Sequence, residues 1–529
     1  MLPKILLPTA AGLLLAAAFP RANQAWLGWA AFIPLVLFIA RAKSRRVAFF
    51  GGWLTGGIVF FIALRWIPDV LVAFGGIPQA FSWAIYALTI AVLACYPGAA
   101  CAFTRYLMFR RGERCLLLFP FVWGVMEFAM SISPFGGFPW LLAGYTQIRF
   151  LTVIQISDIT GIYGVSFLLL CVNTSVAWLI LNIMPFAQRA RLQSGKCLNP
   201  NREYIIRALW PLTLAAVLLV LSLIYGYKAV ERWEKSEAPF NAALFQGNIL
   251  VDEPYDVMLD KIEHGYTRMA DSLHPGSVDI VVLPESPTPK RFQFDNMYRR
   301  DMENLARRYQ LGLVFNNIRY DQKDGADVYF NSAFFMSGDG TLTGTYDKIH
   351  LVPFGEYIPL KKFLFFAKTL TTEVSGFSEG EEFRIAPLGG YPANAVICFE
   401  AVFPDLVRRL VLPGSQVIVN LTNDGWYGIS DAPYQHLEIA RIRAVENRRY
   451  FLRAANTGFS AVIEPTGRIS ASTGLAEEAI CSGQFGFIEE MTFYTRYGNV
   501  FLLLCVIISA AAGIWAIRSR AGETPTSGQ

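Results

Sequence analysis

The chain has 529 residues, 54% hydrophobic and 16% charged, against about 45–50% and about 25% in soluble globular domains. That balance excludes an ordinary soluble protein and a disordered one, while 46 Lys and Arg with 41 Asp and Glu are too many for membrane helices alone. A net charge of +5 is small for this length and does not point to nucleic acid.

Apolar runs approaching or exceeding span length, about 20 residues, occur eight times, at 5–19, 25–40, 47–67, 80–109, 115–132, 163–186, 205–227 and 497–517. An eight-span transmembrane bundle is the expectation. The fourth run holds Pro97 and Gly98 and has the length to kink or tilt. The first is short, follows Lys4 and precedes small residues, as a signal peptide would; the apolar run close behind it favours a retained span. Arg41, Lys43, Arg45 and Arg46 follow span two, and Arg110, Arg111 and Arg114 follow span four. Arg189, Arg191, Lys196, Arg202 and Arg207 lie between spans six and seven, and Arg518 and Arg520 follow the last. The intervening short loops carry only Arg21, Arg65 and Arg149. By the positive-inside rule both termini face the cytoplasm. The expected division is a transmembrane domain over 1–239, an outer domain over 240–488, and a closing span with a cytoplasmic tail over 489–529. In a bacterium with two membranes, the outer side is the periplasm. FGGFPWLLAGYTQ (135–147) suits an interfacial or re-entrant connector. Glu127, inside span five, is either functional or a paired intramembrane carboxylate.

From about 240 the pattern changes to short β-rich runs alternating with amphipathic helices. NAALFQGNI (241–249), DIVVLPES (279–286), LGLVF (311–315), NAVICFE (394–400) and SQVIVNLTN (415–423) read as strands. Helical patterns cover 254–272, 297–309, 402–412 and 435–450, and hairpins are expected over 329–348 and 453–469. Such alternation predicts a layered α/β domain. Of eight Cys, only Cys398 and Cys481 fall on the outer side. One disulfide between them is compatible with that, whereas a disulfide framework is not.

The four His (His264, His274, His350, His436) show no HExxH spacing, and there is no CxxC, so no zinc site is expected. Phosphate-loop, dinucleotide and GxSxG patterns are absent from the sequence. Three residues remain, each near the end of a strand: Glu285, Lys348 and Cys398. A carboxylate can take a thiol proton, a thiolate can attack a carbonyl, and an ammonium can hold the developing oxyanion. Taken singly, each also reads blandly, as a small buried hydrophobe or a solvated loop charge. His350 and His436 read as structural or surface residues, and Arg441, Arg443, Glu446 and Arg453 as an ion-pair network.

LPES, YDKIHLVPFGEYIP (346–359), ICFE (397–400) and NLTNDGWYG (420–428) together resemble the Glu–Lys–Cys signature of the nitrilase superfamily. With the spans, QGNI and GFPW, the chain is similar to its membrane-embedded branch, the apolipoprotein N-acyltransferases. The resemblance implies a nitrilase-type αββα sandwich. It makes Glu285 the general base, Lys348 the oxyanion stabiliser and Cys398 the acyl-accepting nucleophile. Glu356 and Glu400 match supporting glutamates of the family. The implied reaction moves an acyl chain from a phospholipid, usually phosphatidylethanolamine, onto the cysteine, and then to the α-amino group of an S-diacylglyceryl-cysteine apolipoprotein. No cofactor or metal is implied, and the enzyme is expected to act as a monomer in the bacterial inner membrane. Phe399 stands where many members have Tyr, Met130 where Arg is frequent, and Tyr255 near where some have Trp.

KKFLFFAKTL (361–370) is basic and apolar, the character of an interfacial lid with Phe363, Leu364, Phe365 and Phe366 toward acyl chains. Trp426 and Tyr427 are candidates to line the acyl pocket. A membrane-anchored amidase and a transporter with an outer ligand-binding domain are the rival readings. The second lacks the paired broken helices of many transporters.

Overall fold

A computed structural model describes residues 2–192, 202–274, 276–285, 288–323, 325–353, 355–357 and 376–518. The chain forms two compact units: Met1–Arg65, Ile85–Tyr227 and Asn499–Gln529 in one, Trp66–Ala84 and Lys228–Gly498 in the other.

The first unit is helical. Among the described residues six helices are long and apolar enough to cross a membrane: Arg45–Ala63, Gln79–Arg111, Glu113–Ile132, Ile162–Ile183, Ala208–Trp233 and Val500–Arg518. This corrects the count of eight. The first predicted span has an apolar part of only 14 residues, Ile5–Ala18, about 21 Å at 1.5 Å per residue, against a hydrocarbon core of about 30 Å. The second is broken into a 3-10 turn Ala25–Leu27 and helices Gly28–Ala31 and Ile33–Arg41. The cause is Asn173, fully buried. Its Oδ1 accepts the Phe32 N–H at 3.0 Å and its Nδ2 donates to the Gly28 carbonyl at 3.1 Å. It thus inserts between the two groups that an i→i−4 bond would join. Pro34, in the first turn of the next helix, has no N–H to lose there.

Two packing features follow from the sequence. Pro97 lies inside the 33-residue helix Gln79–Arg111. Gly52 and Gly56, one turn apart on Arg45–Ala63, face it so closely that an added Cβ would lie 2.5 Å and 2.4 Å from its atoms. Small residues at this spacing let helices approach closely. In the predicted connector, residues 140–148 are buried. Glu127 holds them: its Oε1 accepts the Ala143 N–H at 2.7 Å and the Trp123 indole N–H at 3.0 Å.

The second unit is a two-sheet sandwich. The first sheet comprises β1 (Phe240–Gln246), β2 (Ile280–Val282), β3 (Gly312–Lys323), β4 (Ala326–Met336), β5 (Leu342–Asp347) and β12 (Ala479–Phe485), in the order β12-β1-β2-β3-β4-β5. The second comprises β6 (Ala386–Leu388), β7 (Tyr391–Ile397), β8 (Val417–Thr422), β9 (Phe451–Ala455), β10 (Ala461–Ile463) and β11 (Ile469–Ser472), in the order β11-β10-β9-β8-β7-β6. Period-two alternation separates the two faces of the first sheet. Ala242, Leu244, Ile280 and Val282 join Ala395, Ile397, Val419 and Leu421 in the core between the sheets. Ala243, Phe245, Val281 and Leu313 face outward onto Met269, Ala270, Met302 and Leu305 of the helices Tyr266–Asp271 and Asn296–Ala306. Helices Pro404–Val411 and Ala432–Asn447 pack on the second sheet through Val407, Leu410, Ala440 and Ala444. The layers are helix, sheet, sheet, helix, the expected αββα sandwich.

Candidate active site

Glu285 follows β2, Lys348 follows β5 and Cys398 follows β7. Two of the three leave the first sheet and one leaves the second, and their side chains meet at the strand ends. Lys348 Nζ donates to Glu356 Oε1 at 2.9 Å and lies 3.6 Å from Glu285 Oε1. Asn331, on β4, joins the two acids: its Nδ2 donates to Glu285 Oε1 at 2.8 Å and to Glu356 Oε1 at 2.9 Å. Asn316 Nδ2 donates to Asn331 Oδ1 at 2.7 Å, so the amide orientation is fixed by the network. The other Glu285 oxygen accepts the Asn423 N–H at 3.1 Å, and that of Glu356 the Val352 N–H at 2.8 Å. The Cys398 thiol lies near enough to the Glu285 carboxylate and to Thr422 for each to shift its proton affinity.

Burial dominates the electrostatics. It pushes the Cys398 thiol well above its ordinary value, the Glu285 carboxylate adds to this, and Lys348 opposes it. Burial also raises Glu285, with Glu356 adding and Lys348, Asn331 and the thiol opposing. For Lys348 burial acts downward, but Glu356 and Glu285 outweigh it and the net shift is upward. At neutral pH the thiol therefore keeps its proton and the lysine is an ammonium, with the Glu285 carboxyl, its proton affinity raised, beside both. His350 is held down at about 4 by burial and by Lys348, so it is neutral beside the lysine.

The NAVICFE segment departs from its predicted strand. The strand stops at Ile397, and Cys398–Val402 is a 3-10 turn. Cys398 has φ of +50°, a left-handed conformation that costs a non-glycine residue about 1–3 kcal/mol unless its surroundings impose it. Glu400 is part of what imposes it. Fully buried, it accepts the Ile397 N–H at 2.8 Å on Oε2. Its Oε1 accepts Tyr346 OH at 2.8 Å, Ile349 N–H at 2.7 Å and His350 N–H at 3.1 Å. It therefore ties the turn carrying Cys398 to the loop carrying Lys348.

The other predicted residues are distributed around this centre. Phe399 is buried, its ring 5.9 Å from His350 and 5.1 Å from Phe403. Trp426 is 39% exposed and edge-on to Phe74 at 5.0 Å. Tyr427 is edge-on to Trp66 at 5.1 Å, and its pKa is raised by burial and by Cys398. Phe363, Phe365 and Phe366, with the rest of the predicted lid, lie outside the described residues. The Cys398–Cys481 disulfide is not formed; both thiols are free and buried. The expected ion-pair network divides: Arg443 pairs with Glu446, Arg441 with Glu438, and Arg453 with Asp424.

Sequence reasoning missed Asn331, Asp424 and the aromatic pair Trp66 and Phe74. It placed His436 among structural or surface residues, whereas its ring is fully buried behind Cys398. For Asn331 the available signal was a polar residue on an otherwise apolar strand. For Asp424 it was the ND pair within NDGWYG.

Residues 11–175 match the family model for the apolipoprotein N-acyltransferase N-terminal domain, and residues 241–486 that for carbon-nitrogen hydrolase. The apolipoprotein N-acyltransferase of Geobacter metallireducens is 37% identical over 97% of this chain and 95% of its own length. That of Chlorobaculum tepidum is 27% identical over 97% of both chains. That of Bradyrhizobium diazoefficiens is 32% identical over 73% of this chain and 70% of its own. A relative this similar along almost the whole length leaves one assignment, and the chain belongs to the apolipoprotein N-acyltransferase family.

Proposed function

We propose that the protein moves an acyl chain from a phospholipid, phosphatidylethanolamine by preference, to the α-amino group of an S-diacylglyceryl-cysteine apolipoprotein. The observation that carries this reading is the buried Cys398 thiol beside Glu285 and Lys348, in a chain with six span-length helices among the described residues. In the first half-reaction Glu285 takes the thiol proton as sulfur attacks the ester carbonyl. Lys348 holds the oxyanion. The tetrahedral species expels the lysophospholipid alkoxide, which takes the proton from Glu285, and the thioester remains on Cys398. In the second, Glu285 takes a proton from the attacking amine, the C–S bond breaks, and the thiolate is reprotonated. Glu356 and Asn331 hold Lys348 and Glu285 in place. Trp426 and Tyr427 line the route of the acyl chain and help keep water from the thioester.

The enzyme acts as a monomer in the bacterial inner membrane, with the sandwich on the periplasmic side and both termini in the cytoplasm. Removing the two short N-terminal segments from the span count removes a pair, so the charge alternation of the remaining helices is unchanged. A second observation agrees. The segment Trp66–Ala84, which the charge rule also places outside, packs within the same unit as the sandwich.

The test is mass spectrometry of the full-length protein after incubation with phosphatidylethanolamine. An acyl adduct on Cys398 is expected, absent in Cys398→Ser and discharged by a diacylglyceryl-cysteine peptide. No adduct together with amide hydrolysis would instead make the protein an amidase.

A further inference from the structure

Cys398 sits in a conformation its own side chain does not favour. Asn and Asp reach the left-handed region with help from a short polar side chain; a thiol gives no comparable help. The conformation must therefore be imposed by groups that hold the backbone on either side. Glu400 holds the Ile397 N–H. On the other side, His436 Nε2 lies 3.2 Å from the Cys398 carbonyl oxygen. A carbonyl only accepts, so Nε2 carries the proton. Nδ1 lies 3.1 Å from Arg453 Nη2 and 2.9 Å from Asp424 Oδ1. Arg453 also donates from Nη2 to Asp424 Oδ2 at 2.6 Å and from Nη1 to Asn420 Oδ1 at 2.6 Å. Asn420, His436 and Arg453 are fully buried and Asp424 nearly so. Burial and Arg453 act to lower the pKa of the imidazole, and Asp424 and the Cys398 carbonyl act to raise it; with the proton on Nε2 the ring donates to the carbonyl whether or not Nδ1 also carries a proton toward Asp424.

We propose that His436 is a positioning residue for the nucleophile: by holding the Cys398 carbonyl, it keeps the turn in the conformation that presents the thiol to Glu285. Arg453 and Asp424 set the ring that does this. Because the peptide group is planar, pinning the carbonyl also fixes the direction of the Phe399 N–H. The side chain meets the backbone of the nucleophile, not its sulfur, so it acts through Cys398. The inference rests on Cys398 being the acyl acceptor.

Three variants of the full chain in detergent test it: His436→Gln, whose amide nitrogen substitutes for Nε2, His436→Asn, whose amide nitrogen substitutes for Nδ1, and His436→Leu. The readout is the single-turnover rate of Cys398 acylation by phosphatidylethanolamine, followed by mass, with thermal unfolding measured alongside. Misplacing a reacting group by about 1 Å costs roughly 10²-fold. His436→Asn and His436→Leu should therefore lose roughly 10²-fold in maximal rate with an unchanged half-saturating lipid concentration, and His436→Gln should recover most of it. If the Leu variant does not fold, the Gln and Asn pair still decides, since both are polar amides differing in which ring nitrogen they replace. Equal rates in Gln and Asn, or wild-type rates in Asn, would overturn the positioning role. A wild-type protein that forms no adduct would instead overturn the reading of Cys398 itself.

Discussion

At Glu285 opposed influences set the proton affinity. Burial and Glu356 push it up; Lys348, the Asn331 amide and the thiol pull it down. A general base must be deprotonated to act, so acyl transfer is lost as pH falls through this raised value. Removing the Asn331 donor leaves burial less opposed and raises it further. Asn331→Ala should therefore shift the acid limb of the kcat profile to higher pH. Hydrogen bonds to charged groups contribute about 1.5–3 kcal/mol, so a loss of roughly tenfold or more is expected on the acid limb, shrinking as pH rises. A uniform loss with an unmoved acid limb would show that Asn331 only holds the fold. The three acids, the lysine and the cysteine of the centre were legible because each stands in a short motif with a chemical use. Asn331 was not. Its importance lies in facing two carboxylates contributed by other segments, and no local pattern records that.

The turn after β7 shows why some elements were read wrongly. NAVICF is built of residues that favour extension, so the sequence reads as strand through Glu400. The break at Cys398 comes from hydrogen bonds to groups 50 and more residues distant in the chain, which Glu400 accepts. The long hairpin of β3 and β4 was underestimated for the opposite reason. Its distal part, DQK and AD, is exposed, so no core demands apolar alternation there. Most of the other strands were legible, because strands buried between layers must alternate or run apolar, but β6 and β12 were not read. Glu400 joins an element of one sheet to an element of the other, and Glu400→Gln tests that. An amide places a donor where one of the four N–H or O–H groups now finds an acceptor, so at least one buried donor is orphaned. A loss of about 1–3 kcal/mol in the stability of the sandwich is expected, read as a lowered thermal transition of the purified protein in detergent. An unchanged transition would show that the two turns hold together without this carboxylate.

For the whole molecule, composition separated the apolar helices from the α/β sandwich, but it overcounted the span-length helices. Hydropathy sees an apolar run; it does not see that Asn173 interrupts one of them, and the first run, already short in the sequence, was counted although its apolar helix is only 14 residues, Ile5–Ala18. The proposed orientation is unchanged by that count because the two short segments are consecutive. It also meets a constraint independent of charge. Trp66 and Phe74 pack edge-on against Tyr427 and Trp426, so in the proposed topology the loop between the helices Arg45–Ala63 and Gln79–Arg111 lies on the same side as the sandwich. The loop before Arg45–Ala63, which carries Lys43, must then lie on the other side if that helix crosses the membrane. Exposed positions make this testable. Asp69→Cys and Met297→Cys should react with a membrane-impermeant maleimide in intact spheroplasts, above the background of the native cysteines. Lys43→Cys should react only after the membrane is broken. Asp69→Cys and Met297→Cys reacting from opposite sides would refute the packing of Trp66 on Tyr427. Reaction of Lys43→Cys in intact spheroplasts, together with the other two, would refute the crossing of Arg45–Ala63 and with it the topology built on the charge pattern.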